Sequence, residues 1–176
     1  MNNLLQVTSL NSFYGKSQIV FDIDIDIQPG EIAVLVGRNG VGKTTIIKSI
    51  MGLVDKKRSK IIFKDIDITS KPPYKIAKLG LTFVPDNGGV FHNLTVEENL
   101  KISQQPGFFD FDYIFQLFPP IQHLMKRKGA QLSGGERKMV GISKGLLMNP
   151  DLLIIDEPSE GLASFLVSDI AESLNQ

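Results

Sequence analysis

The tract IAVLVGRNGVGKTT, from Ile32 to Thr45, constrains the fold of this chain more than any other stretch. The run Ile32 to Val36 is apolar at every position and offers no face to water. It predicts a strand buried on both sides, as in a parallel sheet covered by helices. Gly37 to Thr44 then matches the phosphate-loop pattern G-x-x-x-x-G-K-[ST], set between that strand and a helix predicted from Lys43 to about Met51. The glycines let successive backbone N–H groups turn inward around a polyphosphate, and the helix that begins there adds unpaired donors and the positive end of its dipole. Lys43 is placed to reach the β and γ phosphates, and the Thr44 hydroxyl to bind magnesium. The alternative is a turn with a capped helix that binds nothing.

With 176 residues, 42% of them hydrophobic and 22% charged, the composition is that of a soluble globular domain with one sizeable core. The formal net charge of zero gives no electrostatic argument for nucleic acid or an anionic membrane surface. Without cysteine, neither a disulfide framework nor thiolate chemistry is open to the chain. The start MNNLLQVTSL lacks the pattern of a signal peptide, and no stretch approaches the roughly 18 apolar residues of a membrane span. Any membrane role is expected to come through a partner.

The rest of the chain reads as strands and helices around that loop. Leu4 to Leu10 predicts a short strand, and IVFDIDIDIQ from Ile19 and KIIFKDIDIT from Lys60 alternate with the period of half-exposed strands. The DID tripeptides are most simply their exposed acidic positions. A short helix is predicted over Tyr74–Leu79, and LTFV (Leu81–Val84) and LLII (Leu152–Ile155) are again buried-strand material. Helices are predicted from Val96 to about Ser103, opened by the capping box Thr95–Glu98, and over FDYIFQLF, where Phe111, Phe115 and Phe118 share one face. A longer helix is predicted from Ser133 to about Met148, ended by Asn149 and Pro150, and a last one over Leu162–Leu174.

Hydrolysis needs more than a phosphate cradle. The strand LLII runs into Asp156 and Glu157, putting two carboxylates at the carboxyl end of a parallel strand, where ligands sit in open α/β sheets. Asp156 is then placed to hold magnesium, and Glu157 to orient and deprotonate the attacking water. Two adjacent acids after a strand otherwise serve to cap the following turn. LSGGE, from Leu132 to Glu136, contains a second capping box, Ser133 with Glu136. That box does not explain Gly134 and Gly135, each of which weakens a helix by up to about 1 kcal/mol relative to alanine. Bare backbone there makes sense if an anion must approach closely.

In order, the chain carries Tyr14, GRNGVGKTT, FVPD, LTVEENL, LSGGE, LLIIDEP and SEGLA. This series resembles the nucleotide-binding subunit of ABC transporters, and most of all the branched-chain amino acid uptake ATPases. The resemblance implies a P-loop NTPase fold of the ABC type. Residues 1–86 and 149–176 would form the β subdomain and P-loop core, and 87–148 a helical subdomain carrying the signature LSGGE. Tyr14 would stack on the adenine of ATP. Gly37, Arg38, Asn39, Gly40, Val41, Gly42, Lys43, Thr44 and Thr45 would hold its phosphates. Thr44, Asp86 and Asp156 would serve Mg2+, with Glu157, Lys43 and Asp156 as catalytic residues. Two such subunits, identical or paralogous, pack head to tail, so Ser133, Gly134 and Gly135 would act on the neighbour's γ phosphate. Ser159 to Leu162 would join the two sites. The segment from about Asn87 to Lys128 would dock on transmembrane permease subunits, with a solute-binding protein as indirect partner and no nucleic acid. The subunit would sit in the cytoplasm, peripheral on the inner face of the membrane.

Departures from that pattern carry their own expectations. Asp86 stands where the family has glutamine or, in this branch, glutamate, and the shorter anionic side chain is expected to approach magnesium but repel γ phosphate without it. Asn87-Gly88-Gly89 replaces the usual GR and is expected to loosen this hinge. The family's later strand, which presents a histidine to the γ phosphate, is not reached before Gln176, and His92 and His123 read as surface residues. The chain is therefore expected to be a fragment, to be completed by another chain, or to have lost activity. The alternatives from other classes are a soluble ABC-type ATPase not tied to transport and a non-hydrolysing ATP-binding module.

Overall fold

Alternating apolar and polar residues build the first layer of the molecule. β1 (Leu5–Tyr14) and β2 (Ser17–Ile27) pair antiparallel, with Asp22, Asp24 and Asp26 exposed and Leu5, Val7 and Leu10 buried. Two of the three register shifts along β1 coincide with left-handed backbone at Ser9 (φ 50°) and, across the pair, Asp22 (φ 48°), local kinks of the kind a bulge makes. The computed structural model describes residues 3–158, and the chain divides into two units, Met1–Leu79 and Gly80–Gln176.

In the first unit the sheet order is β2-β1-β4-β5, with β3 (Asp55–Lys56) also pairing β1. The alternating segment expected from Lys60 is two strands, β4 (Lys60–Phe63) and β5 (Ile66–Asp67). Lys64 (φ 50°) and Asp65 (φ 61°) both take left-handed backbone between them, the geometry of a two-residue primed hairpin turn. Helix α1 (Lys43–Ile50) buries Ile46, Ile47 and Ile50 and packs on β1 and β2. Its buried Ser49 hydroxyl lies 2.7 Å from both Ser12 Oγ and Thr45 O. The short helix α2 (Pro73–Lys78) follows.

One expectation is overturned. Ile32–Val36 forms no strand: the segment is irregular, with Val34 76% and Val36 86% exposed. Apolarity favours burial but does not itself supply the partner strand that a ladder needs. Among the described residues no strand pairs with it. The phosphate loop is therefore preceded by irregular, exposed chain.

The second unit opens with β6 (Leu81–Val84), which pairs in parallel with β7 (Leu152–Ile155), Leu81 opposite Leu152 and Val84 opposite Ile155. β7 is half-buried rather than fully buried. Helices α3 (Val96–Ser103), α4 (Phe111–Leu117), α5 (Pro120–Leu124) and α6 (Gly134–Leu147) enclose one apolar cluster, centred on Leu100, Ile114, Ile121, Val140 and Ile142. The shared face of Phe111, Phe115 and Phe118 turns inward, Phe118 being buried and the other two packing edge to face at 5.8 Å. Asn149 ends α6 in left-handed backbone (φ 49°). Its amide bonds the loop above, with Phe109 N donating to Oδ1 at 2.7 Å. The helix expected over Leu162–Leu174 and the Ser159–Leu162 loop lie outside the described residues.

The loop after β6 is clamped rather than loose. Lys144 Nζ donates to Gly89 O (2.7 Å) and Gly88 N to Pro85 O (2.9 Å), and Gly88 presses on α6 at Gly141. A Cβ on Gly141 would fall 2.2 Å from Gly88 O, a backbone atom with no rotamer to change. Gly141→Ala is therefore expected to destabilise the chain by about 1–3 kcal/mol, as overpacking does, and to lower the midpoint of urea unfolding. An unmoved midpoint would show that the loop yields freely.

Candidate functional site

Three groups carry the candidate chemistry, one in the first unit and two in the second. In the first, the loop Gly37–Gly42 leads into α1 with Gly42 as its N-cap at φ 110°, a conformation that penalises any side chain. No side chain caps α1 and no acid stands in its first turn. Helices α3 and α6, by contrast, are closed by complete capping boxes with Glu98 and Glu136. The opening of α1 thus keeps its dipole and donors for a ligand, the condition for anion binding. Lys43 curls back over the loop, its ammonium donating to Gly37 O (2.7 Å) and Arg38 O (3.1 Å). Arg38, Asn39, Gly40 and Val41 are exposed along this loop, Thr44 is half-buried and Thr45 buried. Tyr14 ends β1 at a tight turn and is 50% exposed, free to offer a ring face.

In the second unit the carboxyl ends of β6 and β7 lie side by side, and they bring together Asp86, Asp156 and Glu157. Asp156 N donates to Val84 O (2.9 Å), extending the ladder, and Asp156 is 4% exposed. Glu157 is exposed and left-handed (φ 48°). Asp86 points outward, with 70% of its side chain exposed. Between them lies a residue that sequence reasoning missed, Lys138 of α6. Its buried ammonium lies 3.4 Å from Pro85 O and 3.3 Å from Asp86 O, donates to Asp156 O, and stands 3.8 Å from Asp86 Oδ1. Burial lowers its pKa from the usual lysine value, against the opposing pull of Asp86, Asp156 and Glu157.

The third group is the start of α6. Ser133 Oγ accepts from Glu136 N (3.2 Å), and Glu136 Oε2 accepts from Ser133 N (2.6 Å). The Ser133 backbone N–H first, with the Ser133 hydroxyl and Arg127, holds the Glu136 carboxyl below the usual range. Gly134 and Gly135 are exposed, and a Cβ on either would meet nothing within 4 Å. Nothing among the described residues demands glycine there. Gly141 and Gly145 of the same helix are glycines for packing, with hypothetical Cβ contacts of 2.2 and 2.7 Å. His92 and His123 are exposed, as expected.

A phosphate-loop helix start and acids at the end of a parallel strand define a P-loop NTPase. The ABC transporter family model matches residues 20–160. The chain belongs to the ABC transporter family and is an ABC-type ATPase, an ATP-binding subunit. It is 39% identical over 165 residues to the probable branched-chain amino acid transport ATP-binding protein LivF of Archaeoglobus fulgidus, covering 91% of this chain and 70% of LivF. It is 32% identical to the high-affinity branched-chain amino acid transport ATP-binding protein BraG of Pseudomonas aeruginosa (98% and 76% covered). It is also 33% identical to the lipopolysaccharide export ATP-binding protein LptB of Haemophilus influenzae (96% and 73% covered). The fold matches a dimeric post-hydrolysis structure of the ATP-binding cassette MJ0796 bound to ADP and Pi. The TM-score is 0.81 at 20% identity, over 98% of this chain and 83% of that one.

Proposed function

We propose that the chain is the ATP-binding subunit of an importer, in which two subunits close on ATP and Mg2+ to drive transmembrane permease partners, and that the solute is a branched-chain amino acid. The observation that carries the two-subunit reading is the pair Gly134 and Gly135, helix-weakening glycines that nothing among the described residues of their own chain requires. They suit an anion brought by a second copy, with Ser133 beside it.

In this reading the loop from Gly37 to Thr45 holds the phosphates and Lys43 exchanges its two carbonyl partners for phosphate oxygens. The Thr44 hydroxyl of the first unit and the Asp156 and Asp86 carboxylates of the second are each hard oxygen donors of the kind that suits Mg2+. The metal would neutralise charge developing on the phosphates. Glu157 orients the attacking water and accepts its proton, and Tyr14 stacks on adenine. The subunit is peripheral on the inner face of the membrane, held there by permeases that dock on about Asn87 to Lys128. No helix among the described residues is long and apolar enough to cross a membrane.

Branched-chain amino acids are favoured as solute by the likeness to LivF and BraG; the likeness to LptB is the competing case. Uptake of leucine by vesicles carrying this chain and its cognate permeases separates the two. For the paired site, turnover is expected to rise faster than linearly with protein concentration, because each active site needs two chains. Strict proportionality from dilute to concentrated protein would argue for a self-contained site.

A further inference from the structure

Lys138 has no part in the reading above, yet it is 6% exposed, among the most buried charged side chains of the described residues. Withdrawing an ammonium from water is costly unless its donors find acceptors, and a methionine of similar length would fill the space without that cost. The Asp86 carboxylate, at 3.8 Å, is largely solvated and a weak counter-charge. What the ammonium holds is backbone: the carbonyls of Pro85 and Asp86 beyond β6 and of Asp156 beyond β7.

The Asp156 carbonyl has a particular consequence. It shares one rigid peptide plane with Glu157 N, so its direction sets the plane from which the Glu157 backbone departs. The other side of Asp156 is already fixed, its N–H donating to Val84 O at 2.9 Å. Glu157 lies at φ 48°, where a residue with a Cβ stays only when its surroundings hold it. We infer that Lys138 is a positioning residue for Glu157: by gripping the Asp156 carbonyl from α6 it keeps the Glu157 backbone left-handed and so aims its carboxylate. The same ammonium fixes the Asp86 peptide. Both strand ends are thereby set by the helix whose first turn is Ser133 to Gly135. The inference rests on the proposed role of Glu157 as the water-orienting base.

The test compares Lys138→Met, Lys138→Arg and the double variant with Glu157→Gln, all in the full chain. Lys138→Met is expected to lower kcat about 10- to 100-fold, the scale of a misplaced catalytic group, with KM for ATP unchanged and part of the rate recovered in Lys138→Arg. In the Glu157→Gln background it is expected to cost nothing further, because its effect passes through that carboxylate. Equal losses in both backgrounds would overturn the inference. A second readout needs no turnover: the Cα and Cβ chemical shifts of Glu157 are expected to leave left-handed values in Lys138→Met while those of α1 stay put. Unmoved Glu157 shifts would also overturn it. If the unmodified chain shows no hydrolysis, the proposed ATPase mechanism fails, and the Glu157 shifts still decide what Lys138 does. Should Lys138→Met not fold, Lys138→Gln, which keeps a donor, reports the same quantities.

Discussion

Glu157→Gln is expected to leave ATP affinity nearly intact and to slow hydrolysis by about 10²- to 10⁴-fold, the usual contribution of a general base. Glutamine keeps the size of the side chain and its ability to bond a water, but it cannot take the proton. Glu157 is exposed, so the substitution tests chemistry rather than folding. Its left-handed backbone is unchanged in kind by the swap, since glutamine tolerates φ 48° no better and no worse. The measurement is single-turnover hydrolysis beside equilibrium binding of a fluorescent nucleotide. An unchanged rate would remove Glu157 from the mechanism.

Lys43→Ala acts on the other half of the reaction. A charge-assisted hydrogen bond contributes about 1.5–3 kcal/mol, so losing the ammonium is expected to weaken ATP binding roughly 10- to 100-fold and to abolish measurable turnover. Among the described residues the ammonium donates to the carbonyls of Gly37 and Arg38, both in an exposed loop, so stability is expected to change little. α1 begins with no side-chain cap in either case. Equal affinity in the variant would mean that the loop does not hold the phosphates.

How much of this was legible in the sequence depends on how local each signal is. The capping boxes at Thr95–Glu98 and Ser133–Glu136 form as read, because both partners lie within one helical turn. The turn into α1 is equally local, with glycine supplying its positive φ. The exposed acids of β2 follow from simple alternation. Ile32–Val36 was misread because apolarity states only that a segment profits from burial; a strand there depends on partners distant in the chain. The hairpin at Lys64-Asp65 was hidden because it lacks the glycine that usually marks a primed turn and puts a lysine in left-handed backbone. Lys138 was passed over because a lysine ordinarily reads as solvent-facing. The available signal was its spacing, since Lys138, Gly141, Ile142 and Gly145 fall on one buried stripe of α6.

The central claim is that the loop of one chain and the signature of another make one working site. It is tested most directly by mixing two inactive variants. Lys43→Ala loses its own phosphate loop but keeps its signature. Gly135→Asp keeps the loop, places a repelling charge where γ phosphate would arrive, and fits its own helix, since that position has open space and an acid suits a first turn. The account predicts that each variant alone is inactive and that the mixture regains a substantial share of turnover. A mixture as inactive as its parts, or Gly135→Asp fully active alone, would contradict it.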